Sequence, residues 1–198
     1  VAAGFIIGQP DFKRMLAYSS VEHMGILAFG MGLGAAPAAL LHAINHSLTK
    51  GLLFLTAGNL LAAGKTKAVA ETRGLLRAFP ISGALWFAGF LAVTGTPPFS
   101  PFVSELWILK SALASGRGAL AGLYLLGLAL AFIGMAAAAL KMCLGKPSEK
   151  FESAPRENDP WRLVPPLVLG LCVLIMGLWV PDALRRTLDA AAVCLGAK

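Results

Sequence analysis

Charged residues are scarce in this sequence, and its cysteines are few and scattered. Asp, Glu, Lys and Arg make up 14% of the 198 residues, whereas a soluble domain of this length usually carries about 25%. Cys143, Cys172 and Cys194 form no CxxC pair, which disfavours an iron–sulfur or zinc site made by this chain alone. Nucleotide motifs are lacking too. We therefore expect no cofactor and no catalytic redox centre here.

The sequence also lacks an initiator methionine and a signal peptide with a basic leader and cleavage site. Its first residues, 1–8, have the pattern of the last turns of an apolar helix. We interpret the sequence as a fragment, or as a chain truncated at its N-terminus.

Long apolar runs are what the sequence has in abundance. Hydrophobic residues make up 57% of the chain and its mean hydropathy is +0.73. Several windows exceed the ~18 apolar residues of a spanning helix. The net charge of +7 could suggest nucleic acid, but the basic residues lie in the connections between apolar runs, which suits lipid headgroups. We predict an integral, multi-pass membrane protein in contact with lipid and no nucleic acid.

The breaks between runs predict an all-α, polytopic transmembrane helix bundle. Expected spans cover residues 15–34, 37–64, 80–115, 118–145 and 163–180, with a basic connection at 65–79 that could hold a short surface helix. A charged loop covers 146–160, and the tail 181–198 could form an amphipathic segment. We divide the chain at residue 145, with the loop, last span and tail in 146–198.

The run from 80 to 115 is too long for one straight span and is interrupted in its middle. Gly95, Pro97, Pro98 and Pro101 lie there, and prolines remove backbone donors and clash with the preceding turn. Two short helices would also fit this pattern. Because neither half is long enough to cross a membrane alone, we favour one discontinuous span, a feature that often marks a transport site.

Charge also predicts an orientation. The richer side, expected to be cytoplasmic, holds eleven basic residues and the other holds four: Lys13, Arg14, Lys65, Lys67, Arg73, Arg77, Lys141, Lys146, Lys150, Arg156 and Arg162 against Arg117, Arg185, Arg186 and Lys198. Lys50 and Lys110 are assigned to the interior of the bundle.

His42, His46 and Lys50 recur at four-residue intervals within the second span, and we call these three residues the polar row. On a helix this spacing places them on one face over roughly 12 Å. An ionisable group in hydrocarbon costs from about 2.5 to more than 10 kcal/mol. Histidine exchanges protons near neutral pH and a buried lysine can lose its proton, so the row predicts a proton relay.

Four further ionisable groups fall inside predicted spans. Glu105 follows the break directly and is the natural acceptor or gate for the row, while Glu22, His23 and Lys110 are possible accessory groups. Ordered water would have to bridge the gaps.

Each group also has a simpler interpretation. His42 and His46 could bind a metal as an i,i+4 pair, or each could hydrogen-bond between helices. Lys50 could form a structural ion pair with a carboxylate. Glu22 could be solvated at the membrane edge and Lys110 could extend to the interface.

Three motifs in order resemble one family. Residues 11–25 carry a D-x-K-R-x-x-A-Y-S-S connection and the helix after it, residues 42–55 carry the polar row followed by Gly-Leu-Leu-Phe-Leu, and residues 95–105 read Gly-Thr-Pro-Pro-Phe-Ser-Pro-Phe-Val-Ser-Glu. This combination resembles the antiporter-like membrane subunits of respiratory complex I, group 4 membrane-bound hydrogenases and multisubunit sodium/proton antiporters. Val21-Glu22-His23-Met24-Gly25 and Ser104-Glu105 favour the hydrogenase type.

The resemblance implies that residues 1–145 are the C-terminal half of a proton-conducting antiporter-like domain and form most of the second of two inverted repeats. It implies that Lys50 is the central lysine of a half-channel, with His42 and His46 as relay groups, and that Glu105 stands where members have lysine or glutamate. It further implies a bacterial or archaeal inner membrane. Further antiporter-like subunits would be partners, and quinone, iron–sulfur, nickel or flavin centres would lie only in partner subunits.

Three functions remain open from the sequence. The first is a proton-translocating subunit of a redox-driven complex, of the hydrogenase or NADH-quinone oxidoreductase type. The second is a subunit of a sodium/proton antiporter without redox coupling. The third is a structural membrane scaffold whose polar groups only fix helix packing.

Overall fold

The computed structural model describes residues 2–155 and 157–196, and these residues form helices and no strand. The bundle is all-α, as predicted. In chain order the helices are α1 (Ala2–Ile6), α2 (Phe12–Gly32), α3 (Ala36–Gly64), α4 (Leu75–Ala78), α5 (Pro80–Val93), α6 (Ser100–Ala114), α7 (Gly118–Cys143), α8 (Glu149–Glu152), α9 (Pro160–Leu178) and α10 (Asp182–Cys194). Val1, Arg156 and Lys198, which figure in the sequence predictions, lie outside the described residues.

Helix α3 is the centre of the bundle. It contacts α2, α5, α6, α9 and α10, and its apolar side chains Leu41, Leu52, Leu53 and Leu60 are almost fully buried. A helix enclosed on several sides can bury polar groups without exposing them to lipid. The polar row of α3 is therefore enclosed by neighbouring helices.

Two helix ends follow directly from local sequence. The Asp11 carboxylate accepts hydrogen bonds from the backbone N–H groups of Lys13 and Arg14 at 2.8 and 3.1 Å, so α2 begins three residues before the predicted start of its span. Asp159 caps α9 in the same way by accepting from Trp161 N. Pro160 then occupies the first turn of α9, where its missing N–H costs nothing.

The predicted interruption of the third span is present between α5 and α6. Residues 94–99 are not helical, and Gly95, Pro97 and Pro98 lie among them. Pro101 does not belong to the break, contrary to the prediction from sequence. It lies in the first turn of α6, where a helix needs no N–H donor from it.

Helix α9 supports the break from the side. Gly177 lies so close to the carbonyl of Pro98 and the backbone of Phe99 and Ser100 that a Cβ at this position would overlap them. Gly170, two turns earlier, has ordinary space, since the nearest atom to its Cβ would be a Leu85 side-chain carbon at 3.6 Å. A glycine at 177 therefore allows α9 to pack directly on the broken segment.

Among the described residues, two helices, α7 and α9, are long and apolar enough to cross a membrane by length and composition. Only 33% of the most apolar stretch of α7 and 11% of that of α9 are buried within the bundle. Leu123, Ile133 and Leu178 are among their exposed side chains. Large exposed apolar surface on long helices suits contact with lipid or with neighbouring membrane helices rather than with water.

The basic connections meet at one end of the bundle. Phe12 N donates to the Lys67 carbonyl and Val69 N to the Pro10 carbonyl, which joins residues 9–12 to the connection after α3. The Lys150 ammonium lies 2.7 Å from a Glu71 carboxylate oxygen, which joins that connection to the loop after α7. Hydrogen bonds from Lys150 and Thr66 lower the pKa of Glu71. Connections predicted to share the richer side thus lie together.

We expect Gly177→Ala to lower the midpoint of thermal unfolding, because the new methyl group would push α9 away from the break. Overpacking of this kind costs about 1 to 3 kcal/mol. Gly170→Ala in the same helix is the matched control and should be neutral or slightly stabilising, since alanine favours helix and has room there. Equal midpoints for the two variants, measured on purified protein in detergent, would contradict this account of the α9 contact.

Candidate functional site

Buried polar side chains collect at the middle of the bundle. Lys50 is the central residue of α3, fourteen residues from either end, and Glu22 and His23 lie at the middle of α2. The break at residues 94–99 lies midway between the start of α5 and the end of α6. In a bundle that spans a membrane, these groups lie far from the ends of their helices, where an unpaired polar group is most costly.

His23 and His42 form a hydrogen-bonded pair across α2 and α3. His23 Nδ1 lies 3.0 Å from His42 Nε2, and His23 Nε2 lies 2.9 Å from the carbonyl oxygen of Val93. A carbonyl only accepts, so His23 Nε2 must carry a hydrogen. Both residues are almost fully buried, at 1% and 0% exposure.

The break makes the Val93 carbonyl available to His23. Val93 is the last residue of α5, and in a continuous helix its carbonyl would accept from the N–H of the residue four positions later, which is Pro97. Proline has no N–H. The interrupted helix therefore presents a free backbone acceptor to a buried histidine.

Ser104 continues the chain on the other side of His42. Its Oγ lies 3.0 Å from His42 Nδ1 and 2.9 Å from the Pro101 carbonyl oxygen. Asn45 donates from Nδ2 to the Ser100 carbonyl at 2.8 Å and to Ser104 Oγ at 3.2 Å. The first turn of α6 is thus tied to α3 by side chains of both helices.

Glu105 brings a buried carboxylate beside the two histidines. It is 5% exposed, and its Oε1 has no hydrogen-bond partner among residues 2–155 and 157–196. One of its oxygens and one ring nitrogen each of His23 and His42 lie within 4.8 Å of one another. The carboxylate is seated against Gly95, whose φ of 64° and missing Cβ leave the room for it.

Lys50 lies at the opposite end of the polar row. Its ammonium donates to the Leu16 carbonyl at 2.8 Å and to Ser19 Oγ, both on α2. Glu22, one turn beyond Ser19 on the same helix, is the carboxylate whose charge acts on Lys50. Glu105, predicted as the acceptor or gate for the row, lies beside the histidines at the other end, and a Glu22 carboxylate oxygen lies 3.7 Å from His23 Nε2.

His46 lies between these two ends. Its ring centroid is 4.6 Å from that of His23 and 6.4 Å from that of His42. Within the described part of the chain its buried Nδ1 has no partner. The three imidazoles therefore form a triangle in which His23 is closer to each histidine of the polar row than these two are to each other. The buried groups form a run from Lys50 through His46, His23 and His42 to Ser104 and Glu105, and within the described residues its hydrogen-bonded part extends from His23 to Ser104.

Metal binding is the alternative use of these ligands. His42 and His46 do not form a ligand pair, because both nitrogens of His42 contact His23 and Ser104. His23, His42 and Glu105 are close enough to be considered. The two facing ring nitrogens of His23 and His42 are 3.0 Å apart, so a metal ion 2.0–2.1 Å from each would lie well off the line that joins them. The edges of the two rings instead face each other along that line. This geometry suits a shared proton better.

Lys110 does not join the cluster. It lies on the exposed side of α6, contrary to its assignment to the interior. Helix α6 turns Ser104 and Glu105 toward α3, and Lys110 is five residues after Glu105, which places it on the opposite face.

Ser19, Asn45 and Ser104 are members of the site that sequence reasoning did not select. Ser19 is four residues before His23, and Asn45 is three residues after His42, so each shares a helix face with a selected residue. Ser104 directly precedes Glu105. The spacing of these hydroxyl and amide side chains from the selected residues was the sequence signal that could have identified them.

A cavity of about 330 Å³ lies against the break, between α6 and α7. Glu105 and Tyr124 line it together with residues 94–97, and the Tyr124 hydroxyl lies 3.5 Å from the Glu105 carbonyl oxygen. The Glu105 side chain therefore lies beside both the histidine pair and this cavity, which is open to the surface and largely apolar.

Sequence comparisons identify relatives of this chain among subunits of membrane complexes. The Hydrogenase-4 component F homolog of Methylacidiphilum infernorum (isolate V4) is 34% identical over 188 residues, which cover 93% of this chain and 38% of that protein. NADH-quinone oxidoreductase subunit N of Desulforudis audaxviator (strain MP104C) is 31% identical over 210 residues, covering 96% and 42%. Na(+)/H(+) antiporter subunit A1 of Staphylococcus epidermidis (strain ATCC 12228 / FDA PCI 1200) is 28% identical over 216 residues, covering 94% and 27%.

Solved structures show the same fold. A chain of respiratory complex I from Thermus thermophilus with bound NADH superposes with a TM-score of 0.80 at 26% identity, covering 98% of this chain and 42% of that one. A chain of the Mrp complex from Dietzia sp. DQ12-45-1b superposes with a TM-score of 0.87 at 21% identity, covering 96% and 44%. This chain spans less than half of the length of each of these relatives.

The family match extends over residues 1–140 and includes every residue of the buried run. The family is a transmembrane one, which agrees with the exposed apolar surfaces of α7 and α9 and makes the chain an integral membrane protein. The chain therefore belongs to the family described as NADH:quinone oxidoreductase/Mrp antiporter, transmembrane.

Proposed function

We propose that this chain is a proton-translocating membrane subunit of a redox-driven complex, of the hydrogenase or NADH-quinone oxidoreductase type. The observation that carries the proposal is the run of buried ionisable and hydroxyl groups from Lys50 to Glu105, which is hydrogen-bonded from His23 through His42 to Ser104. Such groups are costly at membrane depth and are kept there mainly for function.

The run has the properties of a proton relay. Each neutral imidazole can donate from one ring nitrogen and accept at the other, so the pair of His23 and His42 can pass a proton along its hydrogen bond. His46, with a free Nδ1, is placed to exchange protons with Lys50 through bridging water. Glu105 is the terminal acceptor beside the cavity.

The two carboxylates beside the relay differ in setting. Glu22 is partly exposed, lies 3.7 Å from His23 Nε2 and acts on Lys50, while Glu105 is buried beside the break. A charge added at either carboxylate alters the field on its neighbours strongly, because the protein interior screens poorly. Proton movement along the row would therefore be coupled to the charge on both carboxylates.

The chain acts together with other membrane subunits in this proposal. Further antiporter-like subunits contact its exposed apolar faces, and quinone, iron–sulfur, nickel or flavin centres lie in partner subunits. Residues 1–145 form the C-terminal half of the proton-conducting domain, as most of its second inverted repeat. The chain crosses a bacterial or archaeal inner membrane several times. Family membership and the exposed surfaces of α7 and α9 support these assignments.

A sodium/proton antiporter subunit without redox coupling is the second candidate. It is favoured by the antiporter subunit relative, which matches 94% of this chain. The partners distinguish the two functions. Copurification with subunits that hold redox centres supports the first, and copurification with small membrane subunits alone supports the second.

Lys50→Met should reduce proton uptake by at least ~10-fold in the reconstituted complex, because methionine keeps the volume but neither binds nor releases a proton. Electron transfer should persist in part. Lys110→Met is the matched control, since it makes the same substitution on an exposed face. Undiminished pumping in the Lys50 variant would overturn the proposed function.

Glu105→Gln tests the scaffold alternative. Glutamine keeps the shape of the side chain but carries no exchangeable acid proton, so we expect transport to be lost while the melting midpoint changes little. The measurement pairs proton uptake in proteoliposomes with thermal unfolding of the same preparation. A variant that unfolds earlier but still pumps would favour a purely structural role for this residue.

A further inference from the structure

Ser104 occupies a position in the hydrogen-bond chain that admits two arrangements of its single hydroxyl hydrogen. Its Oγ lies within hydrogen-bond distance of His42 Nδ1 at 3.0 Å and of the Pro101 carbonyl oxygen at 2.9 Å. The hydroxyl can donate to only one of the two at a time. The hydrogens on the histidine pair determine which of these two acceptors the hydroxyl donates to.

When both histidines are neutral, the Val93 carbonyl determines the position of each hydrogen from His23 to Ser104. His23 Nε2–H donates to Val93, so His23 Nδ1 has a lone pair and accepts from His42 Nε2–H. His42 Nδ1 then has a lone pair as well. The Ser104 hydroxyl must donate to it, with Asn45 Nδ2 donating to Ser104 Oγ.

When the pair holds one additional proton, the hydrogen bond between His42 and Ser104 reverses its direction. The two ring nitrogens that face each other share a hydrogen, and His42 Nδ1 carries one too. His42 Nδ1–H donates to Ser104 Oγ, and the hydroxyl turns to donate to the Pro101 carbonyl. Ser104 Oγ accepts from both His42 and Asn45, so each of these buried groups again has a partner.

We propose that the Ser104 hydroxyl is a two-position switch that gives the His23–His42 pair a hydrogen-bond partner both with and without one additional proton. The inference rests on the proposed proton-translocating function and adds a positioning residue to it. Loading transfers one proton to the pair and turns the hydroxyl from His42 to Pro101. Unloading releases that proton and returns the hydroxyl to His42, so protons balance and no other bond changes.

Ser104 places the switch beside the break between α5 and α6. It is in the second turn of α6, next to Glu105, while the opposite end of the chain rests on Val93 at the end of α5. The first turn of α6 supplies the alternative acceptor, and Asn45 of α3 holds Oγ in place in both states. Both helix halves of the broken span therefore contribute to one proton site.

Ser104→Ala removes the switch and should slow proton uptake by the intact, reconstituted complex about tenfold, because one buried ring nitrogen then lacks a partner in each state. The solvent isotope effect on uptake should increase, since proton transfer at the pair becomes rate-limiting. Ser100→Ala is the matched control. Ser100 is as buried as Ser104, one turn earlier in the same helix, and its Oγ has no partner within the described residues.

Ser104→Cys tests whether the site requires the hydrogen bonds of the hydroxyl group or only the volume of the side chain. A thiol occupies a similar volume but is a weak donor and acceptor, so this variant should be slow with a raised isotope effect, as the alanine variant is. Recovery of the normal rate and isotope effect by cysteine would overturn the switch. A normal rate in Ser104→Ala would overturn it too. Arrest in Lys50→Met with normal pumping in Ser104→Ala rejects the switch alone, whereas normal pumping in Lys50→Met rejects the proposed function itself.

Discussion

The hydrogen bond from His23 to the Val93 carbonyl is the contact on which the arrangement of the site depends. It exists because Pro97 stands where a continuous helix would supply the partner of that carbonyl. Once His23 Nε2 is fixed as a donor, the hydrogens on His42 and Ser104 follow for each charge state of the pair. A break in the backbone thus determines the proton positions of side chains on two other helices.

Much of the fold could be predicted from the sequence because its signals are local. Proline clusters end helices wherever they occur, and the break between α5 and α6 follows from Pro97 and Pro98 without knowledge of neighbours. Pro101 shows the limit of that reasoning. The same lack of an N–H that interrupts a helix is harmless in a first turn, and only the position of the helix start distinguishes the two cases.

The site could be predicted only where one helix carries it. His42, His46 and Lys50 share a face of α3 by spacing alone, but the position of His23 beside both histidines depends on how α2 packs against α3. Ser104 and Asn45 were missed for the same reason, because their role comes from contacts between α3 and α6. Lys110 was placed in the interior from its depth in the span, whereas its helix face directs it outward.

The two halves of the broken span hold the histidine pair from opposite sides. Val93 of α5 holds His23, and Ser104 of α6 holds His42, while the bond between the rings measures 3.0 Å. Only residues 94–99 join the halves, and Gly177 of α9 lies directly against that segment. A displacement of α6 relative to α5 would therefore act on this series of three hydrogen bonds, since hydrogen bonds weaken steeply with distance and misalignment. The packing of α9 on the break is thus a constraint on the geometry of the histidine pair as well as on stability.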